Sequence, residues 1–73
     1  MANFSRRHYE TIAKVIKSEV DLLKSIRPTV AKIYYESGMT TLRSLETQLS
    51  ESFEADNPNF KRRAFREACG LTD

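Results

Sequence analysis

Phe4-Ser5-Arg6-Arg7-His8-Tyr9 near the start of the chain and Phe60-Lys61-Arg62-Arg63-Ala64-Phe65 near its end are two versions of one helix entrance. Each sets an aromatic, a double arginine and a second aromatic at the same spacing. Ser5 is a favoured N-cap residue, which places Phe4 at N′ and Tyr9 at N4, the positions of a hydrophobic staple. Phe60 and Phe65 repeat that spacing. Beyond the first entrance, Tyr9, Ile12, Ala13, Ile16, Val20 and Leu23 recur at helical steps and define one apolar face, with Lys14, Lys17, Asp21 and Lys24 largely opposite. The spacing predicts a helix over residues 6–26, ending there because Arg27 precedes Pro28 and is disfavoured in the α region.

Pro28 suits the first turn of a second helix, expected over about 28–55. Val30, Ile33, Tyr34, Leu42, Leu45, Leu49 and Phe53 form its apolar stripe. Gly38 leaves two alternatives: one long helix, bent or weakened there at a cost of about 1 kcal/mol relative to alanine, or a break with Thr40 or Thr41 capping a further helix. Asp56-Asn57-Pro58 ends the segment, since proline removes a donor and pushes Asn57 out of helical conformation. A short last helix is expected over about 61–69, with Gly70 as its C′ residue and a frayed tail over Leu71-Thr72-Asp73. The fold class is therefore all-α: a single domain built as a helical hairpin of two long helices, closed by a short C-terminal helix.

Composition agrees with that class. Two glycines and two prolines in 73 residues are too few for a turn-rich β fold or a phosphate-cradling glycine loop. With one cysteine and one histidine, an intramolecular disulfide cannot form, and no cofactor or metal is expected. A chain of this size has a small core, so self-association into a homodimer is expected, with a second protomer covering the longer middle helix. No apolar run is long enough to span a bilayer, and the expected setting is cytoplasmic, away from membranes. Basic residues gather at the two ends and acidic residues in the middle.

Phe4-Ser5-Arg6-Arg7-His8-Tyr9, Asp56-Asn57-Pro58-Asn59-Phe60 and Phe65-Arg66-Glu67-Ala68-Cys69-Gly70 together resemble a family of small proteins encoded by bacteriophages and prophages. The resemblance covers the two ends of the chain and not its middle. It implies action in the cytoplasm of a bacterial host and carries over no catalytic residue. One departure stands out: the family tends to place an acidic residue directly after the second motif's phenylalanine, where this chain has Lys61.

The arginines are the candidate binding residues. Arg6, Arg7, Arg62 and Arg63 stand where a helix dipole disfavours cations, at about 0.3–1 kcal/mol each. Arg6 with Glu10 and Arg63 with Glu67 are spaced for pairing within their helices, leaving Arg7 and Arg62 to the acidic middle or to a ligand. Arg66 adds a further cation to the last helix. An exposed tyrosine of the Tyr34-Tyr35 pair, taken as Tyr35, could anchor a partner. His8 has no nucleophile or carboxylate at a motif spacing, and Cys69 reads as a small buried hydrophobe. Glu46, Glu51, Glu54 and Asp56 read as a solvated acidic face. These residues suit a non-enzymatic protein-interaction module acting on a host or phage protein, as an inhibitor or modulator of a host protein or defence system. The alternative is a small nucleic-acid-binding accessory or regulator that uses the arginines at the two helix starts.

Overall fold

A computed structural model describes residues 4–72. The order of elements is α1 (Arg6–Ile26), a single 3₁₀ turn (Arg27–Thr29), α2 (Lys32–Asp56) and α3 (Arg62–Ala68), with no strand among the described residues. α1 and α2 lie antiparallel as a hairpin. α3 runs back along one side of it, and the molecule is elongated, 46 × 19 × 17 Å.

α1 starts as its cap residue dictates. Ser5 is extended, and its carbonyl accepts the N–H groups of His8 and Tyr9 at 3.0 and 3.2 Å. His8 occupies the N3 position usually given to Glu or Gln, and its Nδ1 accepts the Ser5 backbone N–H at 3.0 Å. At the other end, the hydroxyls of Ser25 and Thr29 donate to the carbonyls of Leu22 and Ile26 at 2.7 and 2.8 Å, adding side-chain bonds to the last turn and to the 3₁₀ turn that follows it.

α2 begins at Lys32, not Pro28. Pro28 sits in the 3₁₀ turn, and Val30 and Ala31 are extended, because reversing the chain uses the residues the sequence assigned to the helix's first turn. Gly38 does not break α2. A Cβ at Gly38 would stand 2.8 Å from Leu23 Cδ1, so glycine lets the Leu23 side chain lie close against α2. The buried row of α2 is Met39, Glu46, Ser50 and Phe53, with Tyr35, Leu42 and Leu49 half-buried beside it. Ile33, Tyr34 and Leu45, assigned to the core stripe from sequence, are exposed instead. The stripe turns because α2 presents Gly38 and Met39 to α1.

The Asn57 N–H bonds to the Phe53 carbonyl at 2.8 Å, and its side-chain Oδ1 accepts the Asn59 N–H at 3.0 Å, closing a tight turn at Pro58. α3 begins at Arg62 and ends at Ala68, one residue shorter at each end than the sequence suggests, with Lys61 as its N-cap residue and no side-chain cap bond there. Its C-terminus is a Schellman motif: Gly70 at φ 75° donates to the Glu67 carbonyl at 2.9 Å, and Leu71 donates to Arg66 at 3.3 Å. That motif turns Leu71 inward, where it is buried against Val20 and Cys69 in the core rather than frayed. Asp73 lies outside the described residues.

No helix among the described residues is long and apolar enough to cross a membrane.

Candidate functional site

The two entrances quoted above come together in space. α1 and α3 start at the same end of the molecule and run side by side, so the rings of both entrances meet around Phe53 of α2. Phe4, Tyr9 and Phe60 have ring centroids 5.2, 4.8 and 5.4 Å from Phe53, and Phe65 meets it edge-on at 5.5 Å. Each staple is also a ring contact, Phe4 to Tyr9 at 6.3 Å and Phe60 to Phe65 at 5.6 Å. Such pairs add about 0.5–1.5 kcal/mol beyond their buried area, and here they fix the relative position of two helix starts. The Asn57 side-chain amide donates to the Tyr9 hydroxyl at 3.4 Å, tying the Pro58 turn to α1.

Between α1 and α3 a groove of about 460 Å³ remains open. Its floor is Tyr9, Ala13, Phe60, Ala64, Phe65 and Ala68, and its rim carries Arg6, Glu10, Asn57, Asn59 and Lys61. The hollow exists because alanines face one another where two helices would otherwise interlock larger side chains.

The predicted site residues divide sharply. The Arg6 Nε donates to Glu10 at 3.0 Å, and Arg63 stands 3.7 Å from Glu67, both pairs within one helix and highly exposed. Arg62 reaches Glu54 of α2 at 3.7 Å. Arg66 reaches Glu46 at 3.6 Å. Arg7 has no ion pair among the described residues; its carbonyl accepts the Thr11 hydroxyl at 2.9 Å. Tyr35 is not an exposed anchor: it is half-buried against the core, with the Arg27 guanidinium 4.9 Å above its ring. The exposed tyrosine is Tyr34. Of the predicted residues, only Arg6 lines the groove. The sequence marks Lys61 only as a departure from the family pattern and Ala13 only as part of an apolar face, and it assigns neither Ala64 nor Ala68 to a site, since an alanine signals nothing until its helix has a neighbour.

Glu46 requires a correction. It is 2 % exposed rather than part of a solvated face, and its Oε2 accepts the Ser50 hydroxyl at 2.6 Å while Oε1 faces Arg66. A buried carboxylate persists only when its lone pairs are served, and Ser50 and Arg66 supply that. Its position was legible: Met39, Glu46 and Phe53 are seven residues apart in sequence, one face of one helix. Beside it, the fully buried Cys69 thiol is pushed up to about 11, chiefly by desolvation and further by the Glu46 charge. It is held as a thiol, the opposite of an activated nucleophile. The His8 ring serves the α1 cap through Nδ1. Among the described residues, no three His, Cys, Asp or Glu side chains are grouped to hold a metal.

Comparison with protein-family models, with curated proteins and with solved structures gives no match to this chain.

Proposed function

We propose that this chain is a non-enzymatic protein-interaction module, and that the groove between α1 and α3 is its working surface. The observation that carries this is the groove itself: an alanine-floored hollow between two helices, large enough for a bulky side chain, with polar groups confined to its mouth. Among the described residues, the cation at that mouth with no acidic partner is Lys61, because Arg6 is held by Glu10. The fitting occupant is a segment of another protein that inserts a large apolar side chain and sets an acidic residue against Lys61. The likeness of the chain's two ends to small bacteriophage and prophage proteins adds a setting, a bacterial cytoplasm, with a host protein as the counterpart to be inhibited or redirected. An enzymatic role has no support in His8, which caps a helix, or in Cys69, whose thiol is buried and held protonated.

Pull-down from nuclease-treated bacterial lysates tests the proposal, with Ala64→Trp filling the groove. The expected result is a specific protein retained by the wild type after nuclease and lost with the A64W variant at unchanged helicity. Capture only before nuclease would favour the nucleic-acid alternative, which rests on the cations Arg6, Arg7, Lys61, Arg62 and Arg63 at the same end of the molecule. Equal capture by A64W would show that the groove is not the binding surface.

A further inference from the structure

α3 and the tail cover one side of the hairpin and leave the other open. Contacts fix which side is covered: Arg62 and Arg66 reach Glu54 and Glu46, and Gly70 lies against Lys17 and Val20. At about 100° per residue, Val15 and Leu22 stand roughly 140–160° around α1 from Lys17 and Val20. Tyr34 and Leu45 stand roughly 100–180° around α2 from Glu46 and Glu54. All four are exposed, on the side away from α3.

Charge is nearly absent from this open side. On α1, Arg6, Glu10, Lys17, Asp21 and Lys24 fall within an arc of about 60°, on the far side from Val15 and Leu22, while Arg7 and Lys14 stand at the edge of the open side. Glu19 is the exception on α1, and Asp56, in the last turn, is the exception on α2. The positions between the apolar residues hold small hydroxyl or amide side chains: Thr11 and Ser18 on α1, Thr41, Gln48 and Ser52 on α2. In a chain of which 30 % is charged, that segregation marks a surface made to lose its water.

We infer that the open face of the hairpin pairs with the same face of a second copy of this chain, giving a four-helix bundle with the two α3 helices on its outer sides. The match is reciprocal. Next to the exposed Leu22 is a hollow lined by Leu23, Ile33, Tyr34, Ser37, Gly38 and Thr41, present because Gly38 has no side chain. A two-fold axis parallel to the helices lays α1 of one copy over α2 of the other at the same height, since Gly38 touches Leu23 within each copy. Leu22 of each copy then stands over the Gly38 hollow of the other, a knob facing a hole twice over. The footprint also fits. Twenty-five residues of α2 are about 37 Å long and two helices side by side, each about 10 Å in diameter, are about 20 Å across, so each copy offers about 700 Å², close to the roughly 800 Å² per partner of a standard stable interface. A face with little charge suits self-pairing, because few ionised groups must lose their water when two copies meet.

Sedimentation equilibrium over a concentration series, with circular dichroism alongside, tests this. The wild type is expected to sediment at twice the 8.4 kDa chain mass. Leu22→Glu is expected to raise the dissociation constant by about 30-fold or more, the scale of one interface hot spot. Ser18→Arg changes an exposed hydroxyl on the same face, so it keeps the monomer fold and is expected to weaken dimers as well, while Lys24→Glu on the charged arc leaves them intact. A wild type that stays monomeric at all concentrations overturns the inference, as do dimers that survive both L22E and S18R. The A64W groove variant is expected to dimerise normally, which separates this result from the fate of the binding proposal.

Discussion

One end of this molecule is three helices thick and the other is two. At the thick end, α1, α2 and α3 enclose Phe53 among four other rings, and Val20, Cys69 and Leu71 are buried a little further along. At the thin end, α1 and α2 meet through Leu23, Gly38 and Met39, while Leu22, Tyr34 and Ile33 face outward, Ile33 at 70 % exposure. The same antiparallel pair thus holds itself together in two ways, by filling space at one end and by removing it with glycine at the other. A third helix is what makes large side chains useful in so small a chain, because only an enclosed ring loses its water on every side.

The largest test of that contrast is Phe53→Ala. Loss of the central ring is expected to cost about 3–5 kcal/mol, enough to abolish a cooperative melt in a domain of this size, whereas Ile33→Ala at the thin end should leave the monomer's thermal midpoint almost unmoved. Equal effects would break the comparison.

The alkaline limb comes next. Because the folded thiol of Cys69 titrates at about 11 against about 8.5 in the unfolded chain, folding favours the protonated form. The contribution is complete below about pH 8.5 and is lost as pH rises through 11, on the order of 3 kcal/mol in all. Urea melts from pH 8 to 11 should show a steeper decline for the wild type than for Cys69→Ala, with the tyrosines and lysines common to both.

Glu46→Ala should cost about 2 kcal/mol by leaving a cavity and the buried Ser50 hydroxyl without its acceptor, while the double change Glu46→Leu with Ser50→Ala recovers most of that loss. A double variant as unstable as E46A would mean that the ion pair with Arg66 is needed to dock α3. Smaller again, Lys61→Asp should stabilise the thick end by about 1 kcal/mol, since α3 starts with no side-chain cap and with a cation against its dipole. A thermal midpoint unchanged by K61D would mean that the start of α3 is held by Phe60 and Phe65 alone. Gly38→Ala sharpens the thin end with the least effect: about 1 kcal/mol of helix propensity is gained, the new Cβ displaces the end of the Leu23 side chain, and the net change stays within about 1 kcal/mol. In a Leu23→Ala background the gain should emerge in full.

Several elements were readable in advance because their causes are local. Ser5, Pro58 and Gly70 act on backbone within a few residues of themselves, so α1 and the ends of α2 and α3 follow closely from sequence. The start of α2 was misplaced because Pro28 is as good a residue for a 3₁₀ turn as for a first helical turn, and only the need to reverse direction chooses between them. The site was less legible. The intrahelical partners of Arg6 and Arg63 are fixed by spacing, but the partners of Arg62 and Arg66 lie on α2. Tyr34 and Tyr35 stand about 100° apart on α2, and which of them turns to the core depends on how that helix is rotated against α1, which no local signal sets.

The sequence alone determined that this chain is helical, where its helices stop, and that two aromatic-flanked entrances open them, because propensity, capping and proline act through nearest neighbours. Tertiary structure decided that the two entrances close around one ring, that Gly38 marks a close approach rather than a break, that Glu46 is enclosed with Ser50 and Arg66, and that three alanines leave a groove. Those outcomes depend on distances between residues far apart in the chain. Only the packing of the helices sets them.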